Sequence, residues 1–388
     1  MKVRILSTSN YGGGAAIAAS RLNKSIYYRG VKFKSEMQVA NYKADINNII
    51  KPNSNLLSGW YLARRYIGRL IQKLQISNNR VLHSSSFLPS RIHEDINNCD
   101  ADIINLHWVQ GEFISIKSIS LIKKPIVWTF HDLWPFLGTE HYPSNYSDRR
   151  YVEGYSKKNR LEFERGLDLD LISWRLKKYH FKNPIQIVCK SKWLADCVRN
   201  SSLMGSWPVE VIPNPIPTNI YKPWPKELAR NLFNLPQEKN LILFGAIGGT
   251  NDPRKGWKFL KEALQQLGRR HKNLQAVIFG QHEPKKKPDV GMPITYLGEL
   301  NDDQTLALLY SAADVMVVPS TMENLPQSAT EAQSCGTPVV AFNCSGLVDV
   351  VENFSTGYLA KPFESNDLSK GIEWVLKSED YKNISLRS

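Results

Sequence analysis

Pro319-Ser320-Thr321-Met322-Glu323-Asn324-Leu325-Pro326-Gln327-Ser328-Ala329-Thr330-Glu331-Ala332, running on into Gly336-Thr337-Pro338-Val339-Val340-Ala341, is the stretch around which this chain organises itself. Ahead of it, Asp314-Val315-Met316-Val317-Val318 reads as a buried parallel strand, which puts Glu323 on the loop past the strand's carboxyl end. Open α/β sheets bind their ligands there. Pro326 holds its predecessor extended and suits a first helical turn, so a helix is expected from about Pro326 to Cys335, stopped by Gly336. Glu331 then lies about one and a half turns inside it. A loop carboxylate and a helix carboxylate can face one polyhydroxyl ligand while amides at the helix start face an anion, and a general acid/base pair is a second option for them. A sugar attached to a diphosphate is such a ligand.

At 388 residues, two domains are expected rather than one core. The 42% apolar and 22% charged content is that of a soluble globular protein. No apolar run approaches ~18 residues, and Met1-Lys2-Val3-Arg4 leads into a short strand rather than a signal peptide, so a cytoplasmic chain is expected. Cys99, Cys189, Cys197, Cys335 and Cys344 lack a paired metal-ligand spacing, which points to free thiols and no metal. The formal charge of +14 suggests either an anionic neighbour, whether nucleic acid, a membrane surface or a phosphorylated small molecule, or a solvated basic surface with no specific partner. No nucleic-acid module is recognisable, so nucleic acid is not expected as a partner.

The first half opens with the strand Val3-Arg4-Ile5-Leu6-Ser7, the turn Gly12-Gly13-Gly14 and a helical run from Ala15 to Leu22. Strand, glycine turn and helix start bring backbone amides close to a phosphate or sugar, although the spacing is neither a dinucleotide fingerprint nor a P-loop. Between Trp60 and Leu74, apolar residues at 62, 66, 67, 70, 71 and 74 form one helical face, with Arg64, Arg65, Arg69 and Lys73 elsewhere. That helix either lies on an anionic bilayer, at the inner face of the cell membrane, or packs on the domain core.

Ala101 to Trp108 reads as a buried strand ending in polar residues and Lys124 to Pro135 repeats the pattern, so His107 and His131 lie at the ligand-binding edge, either facing a ligand or as satisfied hydrogen-bonding residues. Tyr142 to Arg175 is polar, basic and without apolar periodicity, and reads as a long irregular loop that either touches an anionic acceptor or is solvated. Gln186 to Ala195 reads as strand, turn and helix, with Ser191 as N-cap. Prolines 213, 215, 217, 223 and 225 mark a stiff linker. The domains are therefore 1–213 and 227–364, joined by 214–226 and followed by a C-terminal helix and polar tail over 365–388.

The second half restarts with the strand Asn240 to Gly245, then a glycine-bearing loop through Gly248, Gly249 and Arg254-Lys255-Gly256 ahead of a helix from about Trp257 to Leu267. Amides, an arginine and a lysine converging after a strand suit a diphosphate. Gly280 and Gly298 each end a further strand.

Taken together, Gly12-Gly13-Gly14, Thr129-Phe130-His131-Asp132, Lys190-Ser191-Lys192-Trp193-Leu194, Val211-Ile212-Pro213-Asn214, Arg254-Lys255-Gly256, Val318-Pro319-Ser320 and the Glu323/Glu331 pair with Gly336 to Ala341 resemble the retaining glycosyltransferase family 4 enzymes of GT-B fold. The resemblance implies an α/β protein of two Rossmann-like domains facing each other across a cleft, the first taking the acceptor and the second the nucleotide sugar. By the same resemblance Glu331 holds the ribose hydroxyls, Glu323 the transferred sugar, and Lys255 with Arg254 the diphosphate, while His131 sits close to the donor sugar. The catalytic set it implies is His131, Glu323, Lys255 and Arg254. The donor-binding set is Gly13, Gly14, Gly248, Gly280, Asn324, Leu325 and Glu331. No metal and no cofactor beyond the nucleotide-diphosphate sugar are implied, and the acceptor is a glycan or lipid-linked oligosaccharide of surface polysaccharide synthesis. Departures are Ala246 after Gly245, where relatives often carry arginine, and the absence of cysteines near Glu140-His141-Tyr142. A non-catalytic nucleotide-sugar or carbohydrate-binding protein is the alternative, ahead of an epimerase or phosphorylase.

Overall fold

The computed structural model describes residues 1–29, 32–43, 48–52, 54–245, 250 and 252–388. It divides into two units, Met1–Pro215 and Ile216–Ser388.

In the first unit the elements follow as β1 (Lys2–Ser9), α1 (Gly14–Arg29), β2 (Lys34–Asn41), β3 (Ile49–Ile50), α2 (Asn55–Gln72), β4 (Gln75–Ile76), α3 (Ile92–Asn98), β5 (Ile103–Leu106), α4 (Ile116–Ser120), β6 (Ile126–Phe130), α5 (Arg150–Glu153), β7 (Arg165–Gly166), α6 (Leu169–His180), β8 (Gln186–Cys189), α7 (Lys192–Arg199) and β9 (Val209–Val211). Seven strands form one parallel sheet in the order β3-β2-β1-β5-β6-β8-β9, and β4 pairs with β7 antiparallel. The order reverses at β1, so the loops after β1 and β5 flank a switch point where α/β sheets hold ligands. Ser191 caps α7 by accepting from Leu194 N–H at 3.1 Å, as the sequence suggests.

Two expectations for this unit need correction. The helix α2 does not bury its apolar face. Arg64 is 2% exposed and donates to the carbonyls of Glu112, Pro89 and Leu88. Gly68, one turn on, lies so close to Glu112 that a Cβ there would stand 2.6 Å from its Cγ, and Tyr61 packs edge-on against Phe113. Docking thus uses Tyr61, Arg64 and Gly68, while Leu62, Tyr66, Ile67, Leu70 and Leu74 remain exposed.

The second correction concerns 142–175, which is not an irregular loop. It contributes α5, β7 and the start of α6, and Arg150, Glu164 and Asp170 are buried. Arg150 lies 2.9 Å from Asp148, 3.3 Å from Glu140, 3.6 Å from Glu164 and 3.7 Å from Asp170. Lys177 on α6, fully buried, donates to the carbonyls of Leu137 and Gly138 at 3.0 and 2.6 Å. Apolar periodicity misses such a segment because its core is ionic.

The second unit runs α8 (Lys226–Leu232), β10 (Asn240–Gly245), α9 (Trp257–Arg270), β11 (Leu274–Phe279), β12 (Ile294–Tyr296), α10 (Asp303–Ala312), β13 (Val315–Val318), α11 (Gln327–Ser334), β14 (Val339–Phe342), β15 (Gly357–Ala360), α12 (Ser365–Lys377) and α13 (Tyr381–Arg387). Its six-stranded parallel sheet has the order β12-β11-β10-β13-β14-β15. β11, β13 and β14 are buried along their whole length, the signature of central strands covered on both faces. The proline-marked stretch read as linker is drawn into this unit from Ile216 onward: Tyr221 is 1% exposed and its hydroxyl donates to Asp303 at 3.0 Å. The polar tail after α12 folds into the short helix α13, and Tyr381 donates its hydroxyl to the Asp314 carbonyl at 2.9 Å.

Candidate functional site

β10 and β13 are neighbours at the point where the second sheet reverses its order, so the loops that follow them meet. One loop carries Arg254 and Lys255, the other Glu323. Close packing joins the two. Thr321 N–H donates to the Arg254 carbonyl at 2.8 Å. Gly256, at φ +71°, lies where a Cβ would stand 1.8 Å from the Pro319 carbonyl oxygen. Only glycine satisfies both that backbone angle and that approach.

Glu323, 7% exposed, is gripped from all sides. The Lys255 ammonium pairs with its Oε1, Arg254 reaches the same oxygen at 3.0 Å, and Ser320 Oγ donates to it at 3.4 Å. Its backbone is held as well, Glu323 N–H donating to Ser345 Oγ at 3.0 Å and Gly346 N–H to the Glu323 carbonyl at 2.9 Å. Ser345 adopts φ +49°, a conformation uncommon for a residue with a side chain. Burial pushes the Glu323 carboxyl up, but Lys255 and Arg254 outweigh it and bring the pKa down to about 2. At neutral pH Glu323 is a carboxylate. It has no proton to give, which removes the general-acid option left open by the sequence.

Glu331 lies on α11, 4% exposed, and its Oε2 accepts from the Tyr310 hydroxyl at 3.0 Å. Burial and the neighbouring Glu331 raise the Tyr310 phenol well above its ordinary value, so it stays a donor. α11 begins at Gln327 without a side-chain cap and without an acidic residue in its first turn, which leaves its positive end available to an anion. Asn324 is buried, and Gly346 passes so close that a Cβ there would meet the Asn324 carbonyl oxygen at 1.4 Å. Leu325 follows on the same loop. Gly280, at φ +85°, ends β11 and donates its N–H to Gly298 at 2.8 Å. Gly248 lies outside the described residues.

The first unit carries its own polar cluster at the strand ends. His107 Nδ1 and His131 Nε2 are 2.9 Å apart, and His107 Nε2 is 2.6 Å from Asn105 Oδ1. The Asn105 amide is oriented by donating from Nδ2 to the Val127 carbonyl and to Thr129 Oγ1. Its Oδ1 therefore accepts from His107 Nε2–H, His107 Nδ1 is the acceptor, and His131 donates from Nε2–H. Burial and Lys190 bring the His131 pKa down to about 3 despite Asp132, and burial with His131 lowers that of His107. Both imidazoles are neutral near pH 7. Asp132 accepts from Trp108 Nε1–H at 2.9 Å and pairs with His141 Nδ1 at 2.6 Å.

Gly12 and Gly13 sit at φ +65° and +92° with open space around them, so backbone angle rather than crowding calls for glycine; Gly14 starts α1. The sequence reading gives Asn105 and Asp132 no site role, although Asp132 belongs to the Thr129-Phe130-His131-Asp132 motif. The signal for Asn105 is present, because it shares a strand face with His107 at a spacing of two. Tyr310 and Ser345 had no such signal, being brought in from an adjacent helix and a distant turn.

Among the described residues one group of donors lies close enough to hold a metal, His83, Glu140 and Asp170, within 4.8 Å of one another. Its Asp170 oxygens already accept from Thr139 N–H and Gln75 Nε2–H at 3.0 and 2.8 Å.

Comparisons with known proteins match both units. The family model described as Glycosyltransferase Family 4 matches residues 52–220, and the one described as Glycosyl transferases group 1 matches residues 226–386. The 2-deoxystreptamine glucosyltransferase of Streptomyces kanamyceticus is 27% identical over 177 residues, 43% of this chain and 45% of that protein. The chain thus spans about half the length of the curated relatives it matches. Among solved structures, sucrose-phosphate synthase from Thermosynechococcus elongatus gives a TM-score of 0.65 at 18% identity, covering 99% of this chain and 92% of that one. Anabaena HepE in complex with UDP-glucose gives 0.62 at 16% identity, covering 100% and 93%. The structural likenesses carry the GT-B fold, and with a family match on each unit in the same order the chain belongs to the group 1 glycosyltransferases of family 4 type.

Proposed function

We propose that the protein transfers a sugar, with retention of anomeric configuration and without a metal, from a nucleotide-diphosphate sugar to a hydroxyl of a glycan or lipid-linked acceptor in surface polysaccharide synthesis. The observation that carries this reading is the convergence of Lys255, Arg254, Glu323 and the uncapped start of α11 at one switch point. Departure of a nucleoside diphosphate builds negative charge on phosphate oxygens. Fixed cations and helix amides stabilise that charge without reorganising. Glu323, ionised throughout the working pH range, accepts hydrogen bonds from the transferred sugar and fixes the two cations. Glu331, steadied by Tyr310, accepts from the ribose hydroxyls, and Asn324, Leu325 and Gly280 complete the donor contacts. For the first unit the proposal keeps His131, Gly13 and Gly14 as donor-sugar contacts, as the family resemblance implies. A neutral His131 acts there as a hydrogen-bonding group rather than as a cation. Same-face attack, with the leaving diphosphate taking the acceptor's proton, needs no further base.

The UDP-glucose bound to HepE makes UDP sugars the first donors to try. Thermal shifts with UDP, GDP and ADP identify the base, and a panel of radiolabelled nucleotide sugars reads transfer or donor hydrolysis. Binding and turnover of one donor are expected. Neither binding nor hydrolysis of any donor overturns the proposal, and tight binding without turnover favours a non-catalytic binder.

Among the described residues no helix is long and apolar enough to cross a membrane. The exposed apolar residues of α2, with Arg69 and Lys73 beside them, support peripheral contact with an anionic membrane, which would present a lipid-linked acceptor.

A further inference from the structure

Lys190 is 4% exposed, yet among the described residues no hydrogen bond or ion pair holds its ammonium. A lysine so deeply buried is normally paired. Lys177 shows the contrast: equally buried, it donates to the carbonyls of Trp134, Leu137 and Gly138. Burial brings Lys190 down to about 8, and the group that opposes this is Cys189. That thiol is itself pushed up to about 12, so at neutral pH it is no anion. Asp132, which follows His131, is committed to Trp108, His141 and the Trp134 N–H.

The sheet register says where this cation points. Thr129 is partnered by Val188 and Phe130 by Cys189, so His131 and Lys190 leave β6 and β8 side by side at the ligand-binding edge. The charge of Lys190 lowers the pKa of both His131 and His107, which places the ammonium near that pair. It is not sealed off. The fully inaccessible polar atoms that lack a partner do not include Lys190 Nζ, so this unbonded nitrogen keeps contact with solvent and a ligand can reach it. Lys190 also precedes Ser191, the cap of α7, whose first turn carries no acidic residue, and the positive end of that helix adds to the local potential.

We infer that Lys190 is a specificity residue that pairs with a carboxylate or phosphate carried by a sugar bound beside His131; the inference rests on the glycosyltransferase reading above. Neutral His131 offers a hydrogen bond and no charge, so Lys190 is the group that separates acidic from neutral sugars. An acidic sugar gives the ammonium a charge-assisted hydrogen bond, whereas a neutral one covers a buried cation and leaves it unpaired.

Titration of the whole protein, labelled with ¹³C at lysine Cε, with glucuronate, glucose 6-phosphate and glucose tests this. The Lys190 signal is the one missing from Lys190→Arg. At least one acidic probe is expected to bind about 10- to 100-fold more tightly than glucose and to raise the titration of Lys190 above about 8. Lys190→Arg is expected to keep the preference, and Lys190→Met, of similar length without the charge, to lose it while melting at or above the parent's temperature. Equal binding of the three probes, or an acidic probe that binds without moving the Lys190 signal, overturns the inference. A preference that survives in Lys190→Met does so too, since it then reflects only the net positive charge. Should Lys190→Met fail to fold, the parent's Lys190 signal decides. A matching preference for UDP-glucuronate over UDP-glucose puts the anion on the transferred sugar, and a preference confined to the free sugars puts it on the acceptor. The UDP thermal shift is read on the same samples: its loss in the parent protein speaks against the glycosyltransferase reading, and its persistence in Lys190→Met shows that the donor unit is intact.

Discussion

The Arg254 guanidinium stands 3.0 Å from Oε1 of Glu323, the oxygen that also pairs with the Lys255 ammonium. Two cations share one carboxylate, and on the proposed reading the donor's diphosphate draws on the same two cations. Glu323→Gln keeps the side chain's shape and removes its charge. Transfer or donor hydrolysis is expected to fall about 10- to 100-fold, whereas nucleoside diphosphate affinity holds or improves because the cations are released to the phosphates. Steady-state rates paired with titration calorimetry check this, and an unchanged rate removes Glu323 from the machinery.

Glu331 and Tyr310 behave differently. Glu331→Ala strands a buried phenol and, on the proposed reading, takes away the acceptor for ribose, so nucleotide affinity is expected to drop by about tenfold or more. Tyr310→Phe removes only the steadying hydrogen bond and should cost a few-fold. Equal affinity for UDP in parent and Glu331→Ala would exclude the ribose role.

The sequence was most informative where parallel strands announce themselves as apolar runs and ligands follow at their ends. Glu323, Lys255, Arg254 and His131 were placed beyond strand ends by that grammar, and Glu331 on the helix that follows; the structure brings Lys255 and Arg254 onto Glu323. Its limits have physical causes. Lys34–Asn41 alternates polar and apolar residues and gives no run, yet it is the full-length strand β2 beside β1. Arg64 looked like part of a polar face, because nothing local reveals that three carbonyls await its guanidinium. Tyr310 and Ser345 reach the site through tertiary packing alone. The folded segment after Tyr142 is held by Arg150 among carboxylates, a core invisible to hydropathy.

The histidine pair predicts a pH dependence with a definite sign. His131 titrates at about 3 in the folded protein, against an ordinary value of 6.5, and His107 is lowered as well. The unfolded chain therefore binds more protons below pH 6.5. Stability contributed by the pair is complete above that pH and declines as pH falls from 6.5 toward 3, by up to about 1.4 kcal/mol per unit for one such group. The melting temperature should drop between pH 7 and 5, and His131→Asn should flatten that slope. Long-range ¹⁵N–¹H spectra of the parent should show His131 protonated on Nε2, with the signal perturbed in Asn105→Ala.

Gly346→Ala tests the packing under Glu323. Its Cβ would meet the Asn324 carbonyl oxygen at 1.4 Å, so the loop bearing Glu323, Asn324 and Leu325 must move. Donor binding should be lost and the melting temperature lowered, since backbone clashes of this kind fall among the most costly substitutions. Gly59→Ala, which meets nothing within 4 Å, is the matched control and should melt like the parent.

The last prediction concerns α2, where burial separates two arginines that the sequence grouped together. Arg64 is pinned beneath the helix, and reversing its charge would disrupt the fold rather than report on a membrane. Arg69 and Lys73 are exposed beside Leu62, Tyr66 and Leu70, so they are the cations that could face anionic headgroups. Near a charged surface each is worth about 1 kcal/mol, and the apolar side chains add to that on insertion. The parent should float with liposomes containing phosphatidylglycerol and not with purely zwitterionic ones. Arg69→Glu/Lys73→Glu should abolish flotation, and Leu62→Ser/Tyr66→Ser should do so at unchanged net charge. Flotation that responds to the charge reversal but not to the serine variant would mean adsorption by charge alone, and no flotation with acidic liposomes would remove the membrane role of this helix.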